Sequence, residues 1–229
     1  MRVLNVGCGA GEVALLTASL VGSNGGVVGV ELCPMALSAA RDRTSHLPNV
    51  RFVQADASAV RFDAPFDAVV GRLALSRVRR PLQVVRNAMR LVRPGGVLAF
   101  QELDLTGARA YPDVPLFRQC IDWMSQALNS VGADLAVGIK LHSLFLNAGL
   151  PPPQLRVDAA AGSGPGHSAY ELMADLIRSL MPLLEQAGAA LPADSGLDSL
   201  AERIEEEVLS SDGVLVPPAL IGAWCRVPQ

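Results

Sequence analysis

The chain has 229 residues, half of them hydrophobic, and a formal net charge of −3 at pH 7. This length is enough for one large domain with a substantial core, and the small net charge argues against a general nucleic-acid-binding protein. The sequence has no uncharged apolar run near the ~20 residues that a membrane-spanning helix needs. Its four cysteines form no CxxC pair, which favours a reduced protein over a disulfide framework. We therefore expect a cytoplasmic protein without a signal peptide.

The first half of the chain alternates between strand-like and helix-like segments. Short apolar runs predict strands at residues 3–6, 27–30, 50–53, 68–70 and 97–100. Helical periodicity between them predicts helices at residues 12–21, 34–44 and 82–92. Strands that alternate with helices indicate a parallel sheet covered on both faces. Ligands of such sheets bind at the carboxyl ends of the strands.

The second half of the chain is richer in helices. We predict helices at 117–131, 135–148 and 196–209, a sixth strand at 155–158 and a last strand at 219–227. A loop of small residues, AAAGSGPG, precedes a further helix, which Ser168 and Glu171 would open as a capping box. The expected organisation is one domain, with a core at residues 1–150 and the last strands at 151–229. A helical insertion at about 162–212 would separate the last two strands.

The stretch VLNVGCGAGE places Gly7, Gly9 and Gly11 directly after the first strand. Glycines at this point let the backbone pass close to a nucleotide, although the motif alone has low specificity. The acid Glu12 would repel a pyrophosphate but is acceptable beside a cationic ligand. A short-chain dehydrogenase needs a tyrosine four residues before a lysine, and none precedes Lys140, which is the only lysine. A nicotinamide cofactor is therefore disfavoured.

Acids follow the next two predicted strands. Glu31 ends the second strand, where a carboxylate can accept hydrogen bonds from both hydroxyls of a ribose. Asp56 follows the third strand and could accept from an adenine amino group. Each residue alone is equally explained as a solvated acid, a helix cap or a turn residue. Their occurrence in order, after the glycine cluster, favours a nucleoside ligand.

Five motifs in this order, VLNVGCGAG, VVGVEL, FVQADA, FDAVVGR and LVRPGGVLAF, resemble the class I S-adenosylmethionine-dependent methyltransferases, most of all their small-molecule branch. The resemblance spans residues 3–102. It implies an α/β fold with a doubly wound, mostly parallel, seven-stranded Rossmann-like sheet whose last strand is antiparallel. It also implies S-adenosylmethionine as cofactor and S-adenosylhomocysteine as product. The implied contacts are Asn5, Gly7, Gly9 and Gly11 with the methionine part, Glu31 and Leu32 with the ribose, Asp56 and Ala57 with the adenine, and Gly71 and Arg72 near the methionine amino group.

The chain departs from the family pattern at three points. Asn5 stands where many relatives have an acid, so we expect weaker attraction for the ammonium group of the cofactor. Ser76 and Arg77 stand where many relatives have a histidine pair, so a mechanism based on those histidines has no support. Helices that usually precede the first strand are absent from this sequence. We expect a truncated chain or a misassigned start, with an unusually open site as the third possibility.

Methyl transfer requires an aligned acceptor and an environment without water, and a base is optional for an acidic phenol or enol. The candidates for catalytic contacts are Glu102 and Asp104 at the end of the fifth strand, Arg72 after the fourth, and His167 before the capped helix. Each is also explained as an ordinary turn or surface residue. The histidines are not spaced as a metal-ligand set, so we expect no metal.

An apolar stripe on the helix after residue 168 bears on the substrate. Tyr170, Met173, Ile177 and Met181 could line an apolar pocket or pack in an ordinary core, and Pro182 should kink or end this helix. We expect methyl transfer to the oxygen or carbon of a small, partly apolar metabolite of secondary metabolism. Nucleic acid and membranes are not expected as partners, and the oligomeric state is open. The alternatives are a cyclase or pericyclase that binds the same cofactor, or a non-catalytic cofactor-binding partner subunit.

Overall fold

The structure is a computed structural model that describes residues 1–188 and 196–229. The strands are β1 (Arg2–Val6), β2 (Gly26–Glu31), β3 (Val50–Gln54), β4 (Phe66–Arg72), β5 (Val92–Asp104), β6 (Arg109–Tyr111), β7 (Gln154–Asp158), β8 (Val214–Val216) and β9 (Ala219–Arg226). The helices are α1 (Glu12–Val21), α2 (Pro34–Arg43), α3 (Pro81–Leu91), α4 (Pro115–Ser130), α5 (Val137–Asn147), α6 (Ser168–Gln186) and α7 (Leu200–Ser210), with a 3-10 turn at Leu197–Ser199.

The chain divides into two compact units. The first, here called the sheet unit, contains residues 1–102, 138–156 and 221–229. The second, here called the helical unit, contains residues 103–137 and 157–220. The sequence-based organisation, with a core at 1–150 and the remaining strands in the same domain, stays a prediction.

A seven-stranded sheet has the strand order β3-β2-β1-β4-β5-β9-β7. Strand β1 pairs in parallel with β2 on one side and with β4 on the other, and β4 pairs in parallel with β5. The backbone of Val227, just after β9, exchanges hydrogen bonds with Gly95 and Gly96 near the start of β5, so β9 runs antiparallel to β5. The predicted doubly wound, mostly parallel sheet is confirmed, with helices inserted between its last two strands in the chain. The strand order reverses at β1, where ligands of such sheets bind.

Burial explains why the first strands are nearly continuous apolar runs. Four of the five residues of β1 and four of the six residues of β2 are buried, as expected for parallel strands covered on both faces. Helix α3 buries one face with Val84, Val85, Ala88 and Leu91. Its proline stands at the first turn, where the missing N–H is not needed.

The core of the helical unit lies among α4, α6 and α7. Tyr170, Met173 and Ile177 are at most 2% exposed and pack in one cluster with residues such as Trp123 and Ile204. Three of the four stripe residues on α6 are therefore core, and Met181 is partly buried against the same cluster, which favours the core-packing alternative over an open pocket. Strands β6 and β8 form a separate two-stranded antiparallel sheet. The sequence did not predict these strands because each has only three residues.

Two local predictions on α6 need correction. Ser168 is the first helical residue and not the N-cap, because His167 precedes the helix and its Nδ1 accepts a hydrogen bond from the Ala169 amide at 3.1 Å. Pro182 lies inside α6, which continues to Gln186, so the alternative that the helix ends at the proline is wrong, and the alternative that it kinks there stays a prediction. Within the described residues, none of the helices combines the length and apolar character needed to cross a membrane.

Candidate functional site

The loop after β1 leaves room for a ligand at Gly9. Gly9 has a φ of +50°, and a Cβ built on it would meet no atom within 4 Å. Gly7 and Gly11 are required for a different reason, since a Cβ would lie 2.8 Å from Ala74 Cβ at Gly7 and 3.0 Å from Ala40 Cβ at Gly11. The loop is thus packed closely at Gly7 and Gly11 and borders open space at Gly9, where a ligand can approach the backbone.

The carboxylate of Glu31 joins this loop to the end of β2. Its Oε2 accepts a hydrogen bond from the Gly9 amide at 3.2 Å. Its Oε1 accepts from the amides of Leu32 at 2.7 Å and Cys33 at 3.0 Å. A carboxylate has about four acceptor positions, and three are used here, so one remains for a ligand hydroxyl while these contacts persist. A second hydroxyl of the ligand would replace one of the amide contacts.

Asn5 on β1 is fully buried, and its side chain is only half satisfied. The Nδ2 group donates to the Val70 carbonyl at 3.4 Å. The Oδ1 atom has no hydrogen-bond partner within the described residues. A buried acceptor without a partner is uncommon in folded proteins and calls for a donor from a ligand or water. An ammonium group of a cofactor would supply that donor. Its partner would be the neutral amide oxygen of Asn5, where many relatives have a charged carboxylate.

The segment after β3 is held by Asn87, which the sequence did not indicate as a site residue. Asp56 is exposed, and its Oδ1 accepts from the Ser58 amide at 2.7 Å, which closes a turn. Asn87 on α3 is 8% exposed and donates to the carbonyls of Ala57 at 2.9 Å and Val60 at 3.0 Å. The only sequence signal was an asparagine on the otherwise apolar face of α3. It holds the segment that contains Asp56 and Ala57, whose assignment to the adenine stays a prediction.

The end of β4 is shaped by close packing. A Cβ on Gly71 would lie 2.5 Å from the ring of Phe100, so β4 and the Phe100 side chain can approach only at a glycine. Arg72 is exposed, and its Nε donates to the Gln101 side chain at 3.2 Å. An exposed guanidinium at this position is available to a ligand, and the assignment of Arg72 to the site stays a prediction.

Glu102 is fully buried at the end of the sheet unit. Its Oε1 accepts hydrogen bonds from the amides of Ala74 at 2.8 Å and Leu75 at 2.9 Å, and its Oε2 has no partner among the described residues. Burial raises the pKa of this carboxyl from 4.5 to about 7, against the opposite effect of the amides of Ala74, Leu75 and Ser76. The side chain is thus directed to the backbone after β4 and not to solvent.

Asp104 and His167 belong to the helical unit, where each has local partners. Asp104 is 6% exposed, and its Oδ1 accepts from the amide of Thr106 at 3.3 Å and from its hydroxyl at 2.7 Å. The Nδ1 of His167 is engaged as the cap of α6. These contacts explain both residues structurally, and their catalytic assignment stays a prediction.

The residues of the sheet unit fit an adenosyl cofactor that carries a cationic amine. Gly9 borders open space, Glu31 has one free acceptor position, and the Oδ1 of Asn5 has no donor among the described residues. The described part of the chain contains no group of three or more histidine, cysteine, aspartate or glutamate side chains that could hold a metal ion.

The family model described as a methyltransferase domain matches residues 1–134, which is more than half of the chain. The chain belongs to this methyltransferase family. The resemblance to class I S-adenosylmethionine-dependent methyltransferases is thereby confirmed.

Two relatives and one solved structure illustrate the family. A demethylmenaquinone methyltransferase from Staphylococcus aureus (strain MRSA252) is 30% identical over 120 residues, which cover 52% of this chain and 47% of the relative. A ubiquinone/menaquinone biosynthesis C-methyltransferase from Azotobacter vinelandii is 36% identical over 105 residues, covering 44% and 42% respectively. A structure from Bacillus halodurans C-125, described as a candidate methyltransferase, shares the fold with a TM-score of 0.64 at 18% identity and covers 100% of this chain and 93% of its own. The chain spans about half the length of the curated relatives it matches.

Proposed function

We propose that this methyltransferase binds S-adenosylmethionine at the carboxyl ends of β1, β2 and β3 and transfers the methyl group to a small, partly apolar acceptor, leaving S-adenosylhomocysteine. The observation that carries the proposal is the carboxylate of Glu31. It joins the amide of Gly9 to the end of β2 and keeps one of its about four acceptor positions for a ribose hydroxyl. An acid in this arrangement is typical of adenosyl recognition at the switch point of a doubly wound sheet.

The bound cofactor would supply an electrophilic methyl group on a sulfonium sulfur. Glu31, with Leu32 beside it, would accept the ribose hydroxyls, and the turn of Asp56 and Ala57 would hold the adenine. The Oδ1 of Asn5 would accept from the methionine ammonium near Gly71 and Arg72. These contacts orient the cofactor, and orientation together with exclusion of water is the main contribution of a protein to this displacement.

The acceptor that we propose is an acidic aromatic ring, methylated at carbon or oxygen. The relatives are named for C-methylation in quinone biosynthesis and for methylation of demethylmenaquinone. Rings of this class carry acidic hydroxyls, so the reaction needs no strong base. This is consistent with the local contacts that engage Asp104 and His167. The proposal includes neither nucleic acid nor a membrane as partner.

We place the enzyme in the cytoplasm. All four cysteines are free, and Cys8, Cys120 and Cys225 are buried. Burial raises the pKa of Cys8 and of Cys120 to about 12, which keeps these thiols protonated and unreactive. Free thiols suit a reducing compartment. The alternatives of a cyclase or a non-catalytic partner subunit are not favoured, because the curated relatives are named as methyltransferases.

The test is transfer of a labelled methyl group from S-adenosylmethionine to a demethylated naphthoquinol, with product detection by mass spectrometry. Glu31→Ala should weaken binding of S-adenosylhomocysteine at least about tenfold, because it removes a charged acceptor of several hydrogen bonds. The matched control is Asp63→Ala, since Asp63 is an exposed acid in the loop before β4. Unchanged binding by Glu31→Ala would remove Glu31 from the site. Turnover of an acceptor without release of S-adenosylhomocysteine would point to a cyclase.

A further inference from the structure

The chain after β4 makes an unusual turn. Leu73 has a φ of +53°, a left-handed conformation that non-glycine residues seldom adopt. Its amide still donates to the Gln101 carbonyl at 2.9 Å and so extends the pairing of β4 with β5. The next two amides, of Ala74 and Leu75, leave the ladder, and both donate to Glu102 Oε1. A single carboxylate oxygen therefore fixes the backbone directly after a strained residue.

This turn is in direct contact with the glycine loop. A Cβ on Gly7 would lie 2.8 Å from the Cβ and 3.3 Å from the Cα of Ala74, so the two backbones are packed as closely as a glycine allows. Any displacement of Ala74 changes the space available to Gly7. Because Gly7 and Gly9 belong to the same short loop, the position of Ala74 affects the surface that the cofactor contacts.

The two amides that donate to Glu102 direct its Oε1 to the backbone after β4. The residue is 0% exposed, and its charge is influenced by burial and by backbone amides. The flanking basic residues, Arg72 and Arg77, are exposed, and Arg72 binds Gln101. A carboxylate accepts stronger hydrogen bonds than a neutral carboxyl. The turn is therefore held more firmly when Glu102 is ionised.

We propose that Glu102 is a positioning residue for the cofactor: its carboxylate fixes the turn at residues 73–76, and through Ala74 this turn holds the glycine loop at Gly7. The inference rests on the proposed function, because it concerns the same cofactor site. It replaces the expectation that Glu102 contacts the substrate. Glu102 acts through the backbone, and deprotonation of its carboxyl strengthens cofactor binding.

Calorimetric binding of S-adenosylhomocysteine to the full chain tests this proposal. From about pH 6 to pH 8, the affinity of the wild type should rise about threefold to tenfold. Glu102→Gln keeps an acceptor oxygen for both amides but cannot ionise, so its affinity should be nearly independent of pH and close to the wild-type value at pH 6. Glu102→Leu should bind more weakly than Glu102→Gln at every pH, because it leaves the amides of Ala74 and Leu75 without their acceptor.

The matched control is Asp67→Asn. Asp67 lies at the amino end of β4, where it accepts from the Arg2 amide and from Arg93, and it is thus another carboxylate that holds backbone of the same sheet. This substitution should leave both the affinity and its pH dependence unchanged. If Glu102→Leu does not fold, Ala74→Gly tests the same contact, since removing the methyl group that faces Gly7 should also weaken binding.

Three results separate the possible failures. Wild-type protein that does not bind S-adenosylhomocysteine would refute the proposed function, and the role of Glu102 with it. If the wild type binds S-adenosylhomocysteine and the affinity of Glu102→Gln has the same pH dependence, the role of Glu102 is overturned and the proposed function remains intact. Equal losses in Asp67→Asn and Glu102→Gln would show a general structural effect and would also overturn it.

Discussion

Replacement of Glu102 by glutamine should change how the stability of the protein depends on pH. The carboxyl is fully buried, and burial raises its pKa from 4.5 to about 7. In the unfolded chain the carboxyl ionises first, so its contribution to stability is fully present below about pH 4.5 and is lost as the pH rises to about 7. A difference of this size corresponds to about 3 kcal/mol when the carboxyl is fully ionised in both states.

Glutamine does not ionise, so this loss is absent in Glu102→Gln. Between about pH 5 and pH 8, the free energy of unfolding of the variant should rise by about 2–3 kcal/mol relative to the wild type. In a protein of this size, the melting temperature of the variant minus that of the wild type should increase by roughly 5–10 °C over the same pH interval. Urea denaturation at several pH values measures the effect directly. Over the same interval the affinity of the variant for S-adenosylhomocysteine should fall relative to the wild type, so stability and binding change in opposite directions.

A constant difference in stability between Glu102→Gln and the wild type would refute this reasoning. It would mean that the carboxyl ionises at its ordinary pKa in the folded protein. Asp67→Asn provides the contrasting pH dependence. The side-chain hydrogen bond of Arg93 and the amide of Arg2 lower the pKa of Asp67, so its contribution is present above the ordinary pKa and is lost as the pH falls into the acid range. The two variants should therefore diverge from the wild type in different pH ranges.

Three further substitutions have defined outcomes. Asn5→Asp should tighten S-adenosylmethionine binding about fivefold, because it places a negative charge near the cofactor ammonium, and it should lower the stability of the protein without cofactor. Calorimetry measures the affinity and thermal unfolding measures the stability. Weaker binding would mean that the ammonium does not lie beside residue 5. Asn87→Ala should cost about 1–3 kcal/mol in urea denaturation because two partly buried carbonyls lose their donor, and an effect near zero would mean that water replaces the amide. Met173→Ala should cost about 2–5 kcal/mol, as for other core truncations, and a smaller cost would indicate that the α6 stripe is less tightly packed.

The sheet was predictable because its determinants are local. Nearly continuous apolar runs such as that of β1 report burial on both faces, and Gly7, Gly9 and Gly11 mark the point where the chain turns at its end. Residues 3–102 carried these signals in order, which is why the family resemblance was strong. The strands β6 and β8 carried none, because a three-residue strand shows less than two periods of alternation.

The partners of polar side chains were less predictable. Ser168 followed by Glu171 matches a capping box, yet a ring nitrogen of His167 accepts the amide hydrogen bond instead. Glu102 at the end of β5 could have pointed to a pocket or to backbone, and the sequence contains nothing that distinguishes the two. Asn87 was hidden in an apolar pattern, because its carbonyl partners lie about 30 residues earlier in the chain. Such contacts depend on tertiary structure and leave no local pattern.

Two buried side-chain atoms of the sheet unit lack hydrogen-bond partners within the described residues, Asn5 Oδ1 and Glu102 Oε2. An orphan of this kind costs about 1–3 kcal/mol, so a protein retains it where function compensates the cost. For Asn5 the compensation that we propose is the ammonium of the cofactor, which an apolar residue could not bind. For Glu102 the compensation is the pair of hydrogen bonds that its Oε1 accepts from the amides of Ala74 and Leu75. The first atom should gain a partner when the cofactor binds, and the second should gain only a proton, as the pH falls below about 7.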